Sequence, residues 1–385
     1  MSFMIGLYLH LPFCLSKCTY CDFDSAPLDS VGGLAFARRY LEAVGVEMDL
    51  RAASDEFHGA RANTVYFGGG TPTVLPAEWL AQLIERLGRR FEIAEDAEVT
   101  VEANPGTVGR EKAAALLEAG VNRISLGVQA LSNRTLRTLG RAHSAAQARE
   151  AVAAIRAAGC RNLGVDVIYG VPAQAPEEWV DCLRQVVELA PEHVSAYGLS
   201  LEPGTPLAAE VAAGRLPEPD EDLAAEMYGL ASETLTGAGY RHYEISNFAR
   251  LGRECQHNRR YWANAEYLGL GCSAHSYRGG VRWNNVAGAQ VYTEWLERGL
   301  MPVARAEGLS ARRRVGEMLM LGLRRDEGVE EKVVAEVCGM EPRQWFGEEI
   351  ERLCEQGLLV ADGGRLRIPR EKWILSNEAL ACFVG

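Results

Sequence analysis

At 385 residues, 48% hydrophobic and 24% charged, the chain exceeds one ordinary core, so a large globular domain plus a smaller one is expected. The net charge of -12 argues against a nucleic-acid partner, because phosphate binding needs a positive footprint. No apolar run reaches the ~20 residues of a membrane helix, which leaves peripheral membrane contact open. Residues 1–11 carry neither a basic n-region nor a small-residue cleavage site, so the ten cysteines are expected in reducing cytosol, not in disulfides.

The first informative stretch is 5–25. Leu7, Leu9 and Leu11 alternate with Tyr8 and His10 as a strand would, and Pro12 ends the run just before Cys14, Cys18 and Cys21. Three thiols at C-x3-C-x2-C spacing can point at one centre, and soft thiolates in a reducing cell select zinc, copper(I) or an iron–sulfur cluster. Zinc normally takes a fourth protein ligand from a second Cys or His pair, and none follows. A three-thiolate [4Fe-4S] cluster would instead leave one iron free for a small molecule. The other seven cysteines, scattered without metal spacing, read as buried apolar residues.

Further along, a helical pattern over 34–51 precedes a strand over 64–67, which ends in Gly68, Gly69, Gly70 and Thr71. Such glycines let backbone approach a ligand and expose N–H groups or carbonyls to it. Strands are then expected over 98–103, 123–128, 163–169 and 193–200. Helices between them end at Gly120, start near Ser132, and cover 144–158 and 176–189. This strand–helix alternation predicts a parallel sheet, open or closed into a barrel, with its ligand beyond the strand C-terminal ends. Glu102, Gln129, Asp166 and Tyr197 fall at those ends in otherwise apolar strands, and together with the thiols they describe one pocket.

From 202 to 301 the pattern is irregular. A helix over 220–237 precedes residues 243–249, then His257-Asn-Arg-Arg-Tyr-Trp262 and a glycine-containing run ending in His275. His257 beside Tyr261 and Trp262 combines a neutral-pH metal ligand with planar surface, which suits either packing or a porphyrin. Near the C-terminus, helices over 310–323, 330–337 and 342–356 precede a hairpin signal at Asp362-Gly-Gly364, a winged-helix-like combination. Arg312, Arg313 and Arg314 read as a solvated helix face rather than a DNA-binding surface.

The cysteine spacing with Tyr20 directly before Cys21 resembles the cluster loop of the radical S-adenosylmethionine (SAM) superfamily. In that family SAM chelates the open iron through its amino and carboxylate groups. The glycine run, Glu102, Gln129 with Arg141, Asp166, Tyr8, Gly198 and the Ile168-Tyr-Gly-Val-Pro172 turn extend the resemblance to the group of oxygen-independent coproporphyrinogen III dehydrogenases and HemW-like heme chaperones. The resemblance implies an α/β fold in three parts: a partial (β/α)6 radical SAM barrel over 1–201, an irregular α+β extension over 202–305, and a C-terminal winged-helix-like domain over 306–385. It assigns Cys14, Cys18 and Cys21 to the [4Fe-4S] cluster. It assigns Tyr8, Tyr20, Gly68, Gly69, Gly70, Thr71, Glu102, Gln129, Arg141, Asp166 and Gly198 to SAM.

The His-Asn-x-x-Tyr-Trp stretch looks like the signature of the chaperone group and makes His257 its heme-ligand candidate, with His275 as a second. The dehydrogenase group carries an N-terminal extension and a fourth cysteine where Phe23 stands here, so the chaperone reading is preferred to oxidative decarboxylation of coproporphyrinogen III. A related methyltransferase would share the fold but leave the heme-like motif unexplained. The resemblance further implies heme and heme-accepting proteins as partners, membrane-bound respiratory proteins among them. It allows a homodimer, and places the chain in the cytoplasm or at the membrane periphery.

Overall fold

A computed structural model describes residues 3–384. The first strand, Phe3–Leu11, lies inside the sheet, and Ile5, Leu7, Leu9 and Leu11 are wholly buried in one core with Tyr40, Val44 and Met48. Those three belong to the long helix Gly33–Ala53 that follows the cysteine loop. Parallel strands follow in chain order: Ala60–Gly69, Glu92–Ala103, Arg123–Gln129, Leu163–Tyr169 and His193–Gly198. Helices Ala77–Arg90, Arg110–Glu118, Ala145–Ala157 and Pro176–Glu188 supply the crossovers that parallel pairing requires. Register aligns Glu102 with Ser125, and Gly127 with Asp166 and in turn Ser195, so polar residues of neighbouring strands share levels. The α/β barrel half is therefore built as the alternation predicts.

The extension departs from the expected three-part division. Its strands continue the same sheet, which has twelve strands in all. Tyr267–Leu270 pairs parallel with the first strand, and His275–Arg278, Val281–Asn285 and Val303–Gly308 follow it antiparallel. At the other edge, Asn247–Ala249 pairs antiparallel with His193–Gly198 and carries Arg241–Glu244 beyond it. The boundary drawn at 201/202 thus divides one sheet, and that at 305/306 cuts through Val303–Gly308. Unpaired edges of the barrel sheet expose backbone donors and acceptors, and the extension satisfies them.

One buried carboxylate ties the extension to the barrel. Glu47 on the long helix is fully buried and accepts from Tyr292 Oη at 2.7 Å, Asn285 Nδ2 at 2.8 Å and the Gly271 amide at 3.0 Å. Burial raises its pKa against the pull of Arg51 and these donors.

The C-terminal unit holds helices Ala311–Gly322, Glu331–Cys338 and Pro342–Glu355 and a three-stranded sheet whose hairpin turns at Gly363 and Gly364. Both glycines have positive φ, +56° and +78°, the backbone a two-residue hairpin demands. A final helical segment, Arg370–Leu375 then Ser376–Ala381, lies beyond the expected elements. It packs back on the extension: Trp373 meets His242 edge-on at 4.6 Å, and Arg370 donates to the His242 carbonyl at 3.0 Å. Of the seven cysteines outside the loop, five are buried as expected, while Cys354 and Cys382 are half-buried. No described helix is long and apolar enough to cross a membrane.

Replacing Glu47 with Ala would strand the Tyr292 hydroxyl and the Gly271 N–H. Urea unfolding should show a loss of about 2–4 kcal/mol, against roughly 0.5 kcal/mol or less for Glu42→Ala on the same helix's exposed face.

Candidate functional site

The cysteine loop closes over the C-terminal ends of the parallel strands. Its base is a short parallel pairing of Phe13–Cys14 with Ala26–Pro27. Its middle is held by Lys17, whose ammonium donates to the Phe23 and Ser25 carbonyls at 3.0 and 3.1 Å. Tyr20 packs on Leu139, Ile168 and Val171, so the Ile168-Tyr-Gly-Val-Pro172 turn anchors the loop. At its far end the Asp24 carboxylate accepts from Ser273 Oγ and the Gly288 amide of the extension, at 2.6 and 2.8 Å.

Beneath the loop lies a cavity of about 390 Å³. Cys14, Cys18 and Cys21, all free and half-buried, line it together with Tyr20, Gly69, Gly70, Thr71, Glu102, Gln129, Arg141, Asp166 and Gly198. Eleven separate expectations from strand ends and loops, and Gly198, thus meet in one space. Tyr8 and Gly68 do not reach it: they stand behind the wall, Tyr8 stacked on Tyr66 at 6.2 Å and Gly68 against the Glu102 carboxylate. Gly70 leaves no room for a side chain, since a Cβ there would fall 2.6 Å from the Phe13 carbonyl oxygen. Gln129 holds φ = +64°, a left-handed conformation that costs a non-glycine residue about 1–2 kcal/mol and turns the chain at the cavity wall.

A polar belt links the thiols. Thr71 Oγ1 lies 3.8 Å from Cys14 Sγ, and Asn104 Nδ2 donates to Thr71 Oγ1 at 2.7 Å. Arg141 then donates to the Asn104 side-chain oxygen, to the Gly127 carbonyl at 2.9 Å, and to Cys18 Sγ at 3.1 Å. Asn104 escaped the sequence reading because Asn-Pro-Gly reads as a turn.

The donor set, three soft sulfurs, fits an iron–sulfur cluster. Cys14, Cys18 and Cys21 line one cavity, and three thiolates suit a cluster that keeps one iron open. Burial raises the Cys14 and Cys21 thiols above their ordinary range, so a bound metal would have to displace their protons.

Burial also governs the acids. The Glu102 carboxyl, which accepts from Tyr66 Oη at 2.7 Å, is pushed up to about 7 by desolvation. Asp166, which accepts from Ser125 Oγ at 3.2 Å, is raised for the same reason.

His257 does not fit the heme-ligand expectation. It is 1% exposed, its Nδ1 pairs with Thr64 Oγ1 at 2.9 Å, and its Nε2 pairs with Tyr261 Oη at 2.9 Å. Both ring nitrogens are occupied, the ring stacks on Tyr66 at 5.1 Å, and burial among Arg260 and Arg123 lowers its pKa to about 3. His257 therefore supports Tyr66, which in turn holds Glu102. Its neighbour Asn258 is the member of the motif that lines the cavity. His275 lies on an extension strand with its side chain exposed.

Folding binds a proton to Glu102 because its folded value lies above the usual 4.5. Stability attached to that proton is present at low pH and is lost as pH rises from 4.5 to 7. Glu102→Gln should therefore gain on the native chain across that window, by about 1–3 kcal/mol in urea unfolding, and hold the gain above it. A pH-independent difference would contradict the burial argument.

Residues 8–186 match the radical SAM superfamily, and residues 309–375 match the HemN C-terminal domain. The chain is 37% identical over 380 residues to the heme chaperone HemW of Mycobacterium tuberculosis, covering 99% of this chain and 95% of that one. It is 33% identical to the heme chaperone HemW of Bacillus subtilis, covering 99% and 100%. The structure superposes on the coproporphyrinogen III oxidase HemN of Escherichia coli, a radical SAM enzyme, with a TM-score of 0.85 at 24% identity over 98% of this chain and 89% of that one. That likeness shows the same fold. The chain belongs to the HemW family of the radical SAM superfamily.

Proposed function

We propose that the chain is a heme chaperone that holds a [4Fe-4S] cluster on Cys14, Cys18 and Cys21, binds SAM beneath them, and passes heme to heme-requiring proteins. The observation that carries this reading is the convergence of three free thiols on one cavity, in a chain alike over its full length to heme chaperones. Bound there, the cluster would supply an electron and an iron without a protein ligand.

The chain's own residues have defined tasks in this reading. Arg141 places positive charge beside Cys18 and, through Asn104 and Thr71, fixes the spacing to Cys14. Glu102 and Asp166 offer acceptors for hydroxyls and a positive centre of SAM, and Gln129 presents its amide from a strained backbone. Gly69 and Gly70 line the cavity with backbone, and a Cβ at either would strike His10 or Phe13 behind it. The loop and Tyr20 cover the site and exclude water from it.

A histidine ligand to heme needs a reachable imidazole. Among the described residues only His58 and His275 have exposed side chains, and His275 follows the glycine run of the extension. Axial ligation is therefore assigned to His275, and His257 to support of Tyr66. Phe23, 61% exposed on the loop, occupies the position of the dehydrogenase group's fourth cysteine, which favours the chaperone over the decarboxylase. The acceptors would include membrane-bound respiratory proteins, met at the membrane by a cytoplasmic chain.

Anaerobic titration of the reconstituted chain with heme should give stoichiometric uptake and a shifted Soret band, with no protoporphyrinogen formed from coproporphyrinogen III, SAM and reductant. His275→Ala should weaken heme binding about tenfold or more and move the band, a loss of about 1.4 kcal/mol. His257→Ala should leave the band in place. Decarboxylated product without heme uptake would overturn the chaperone reading, and a band that responds only to His257→Ala would restore that residue as ligand.

A further inference from the structure

The strand Arg123–Gln129 ends irregularly at the cavity wall. Gly127 pairs with Asp166 and Gln129 with Val167, so Val128 is an extra residue, a bulge in the parallel pairing. Directly after it the Ala130 amide donates to the Val128 carbonyl at 2.8 Å, across Gln129 at φ = +64°. A bond from a residue to the next but one, over a positive φ, is a γ-turn of the rare and strained kind. Such a turn persists only where its surroundings impose it.

The turn lays the Gln129 side chain over Gly127. A Cβ on that glycine would fall 2.8 Å from Gln129 Nε2, 2.5 Å from the Asn104 side-chain oxygen and 3.4 Å from Arg141 Nη2. Gly127 thus leaves room for the Gln129 amide beside Asn104 and Arg141, where all of them line the cavity.

The segment that leads into helix Ala145–Ala157 supplies the restraint. Arg141 donates to the Gly127 carbonyl at 2.9 Å, and two residues on, His143 Nε2 donates to the Val128 carbonyl at 3.0 Å. His143 is 7% exposed, and burial and the Arg141 charge lower its pKa to about 4, so the ring is neutral with one N–H. A carbonyl only accepts, which places that N–H on Nε2. The same segment grips the cysteine loop, because the Thr19 amide and hydroxyl donate to the Leu139 and Thr138 carbonyls at 3.3 and 3.0 Å. His143 itself does not line the cavity, so any effect on a ligand there passes through the backbone it holds.

We infer that His143 is a positioning residue for the SAM pocket: by holding the Val128 carbonyl it keeps the γ-turn formed and the Gln129 amide at the cavity wall. The inference rests on the reading of this cavity as a SAM site.

The first arm of the test needs no ligand. Hydrogen–deuterium exchange of the full-length chain, without added SAM, is read on peptides that span Ala130. His143→Phe keeps a ring but loses the donor, and His143→Gln returns an N–H near the place of Nε2. Exchange at Ala130 should be about three- to tenfold faster than native in His143→Phe and close to native in His143→Gln. Equal exchange in the native chain and His143→Phe, at an unchanged thermal midpoint, would overturn the brace. Where the phenyl ring prevents folding, His143→Leu takes its place.

The second arm measures SAM affinity of the cluster-loaded chain by equilibrium dialysis, in a cycle with Gln129→Ala, which removes the amide but keeps the demand on the backbone. His143→Phe should weaken SAM binding about three- to tenfold, and His143→Gln should restore it. In the Gln129→Ala background, His143→Phe should cost nothing further. Losses that add, or a His143→Gln chain that binds no better than His143→Phe, would show that the ring acts elsewhere and would overturn the proposal. If the native chain bound no SAM, the SAM reading of the cavity would fail while amide exchange still judged the brace.

Discussion

The site depends on one guanidinium. Arg141 reaches from beyond the fourth parallel strand to Cys18, Asn104 and the Gly127 carbonyl, and so fastens a short cysteine loop to the sheet end it covers. Without such a tether three thiols on a loop would sample many separations, and ordering them would fall entirely on any metal bound there. The belt through Asn104 and Thr71 carries the same restraint to Cys14. Packing of Tyr20 on the Ile168 turn, and the Asp24 contacts to Ser273 and Gly288, fix the rest of the loop.

Those Asp24 contacts show why the extension is part of the site and not an appendage. It completes the sheet at both edges, ties itself to the long helix through buried Glu47, and sends Asn258 into the cavity. His257, on the same helix, stacks behind Tyr66 and so acts on Glu102 through one intermediate. The motif that looks like a porphyrin clamp is, in three dimensions, the back wall of the cavity beneath the cysteine loop.

The sequence made the barrel half legible because parallel strands and their crossover helices are long, periodic and punctuated by glycine and proline. Leu163–Tyr169 was readable residue for residue. That Cys14, Cys18 and Cys21 share one cavity was legible because their close spacing keeps three thiols on one short loop. The extension was not, since its strands run from three to six residues, too short for alternation to show. The surroundings of His257 were only half legible: Tyr261 is four residues on, but Thr64 lies 193 residues away in the chain. Arg123 was passed over because a charged residue at the start of a strand is normally solvated, and only the closed fold reveals that this one is not.

The central claim is that these three thiols, and no others, hold an iron–sulfur cluster. The most direct measurement is iron and sulfide content with electronic and EPR spectra after anaerobic reconstitution of the native chain, of Cys14→Ser, Cys18→Ser and Cys21→Ser, and of Cys255→Ser and Cys272→Ser as buried controls. The account predicts a [4Fe-4S] cluster in the native chain and both controls, and its loss in each of the three loop variants. A full cluster in any loop variant, or its loss in a control with unchanged thermal stability, would contradict it.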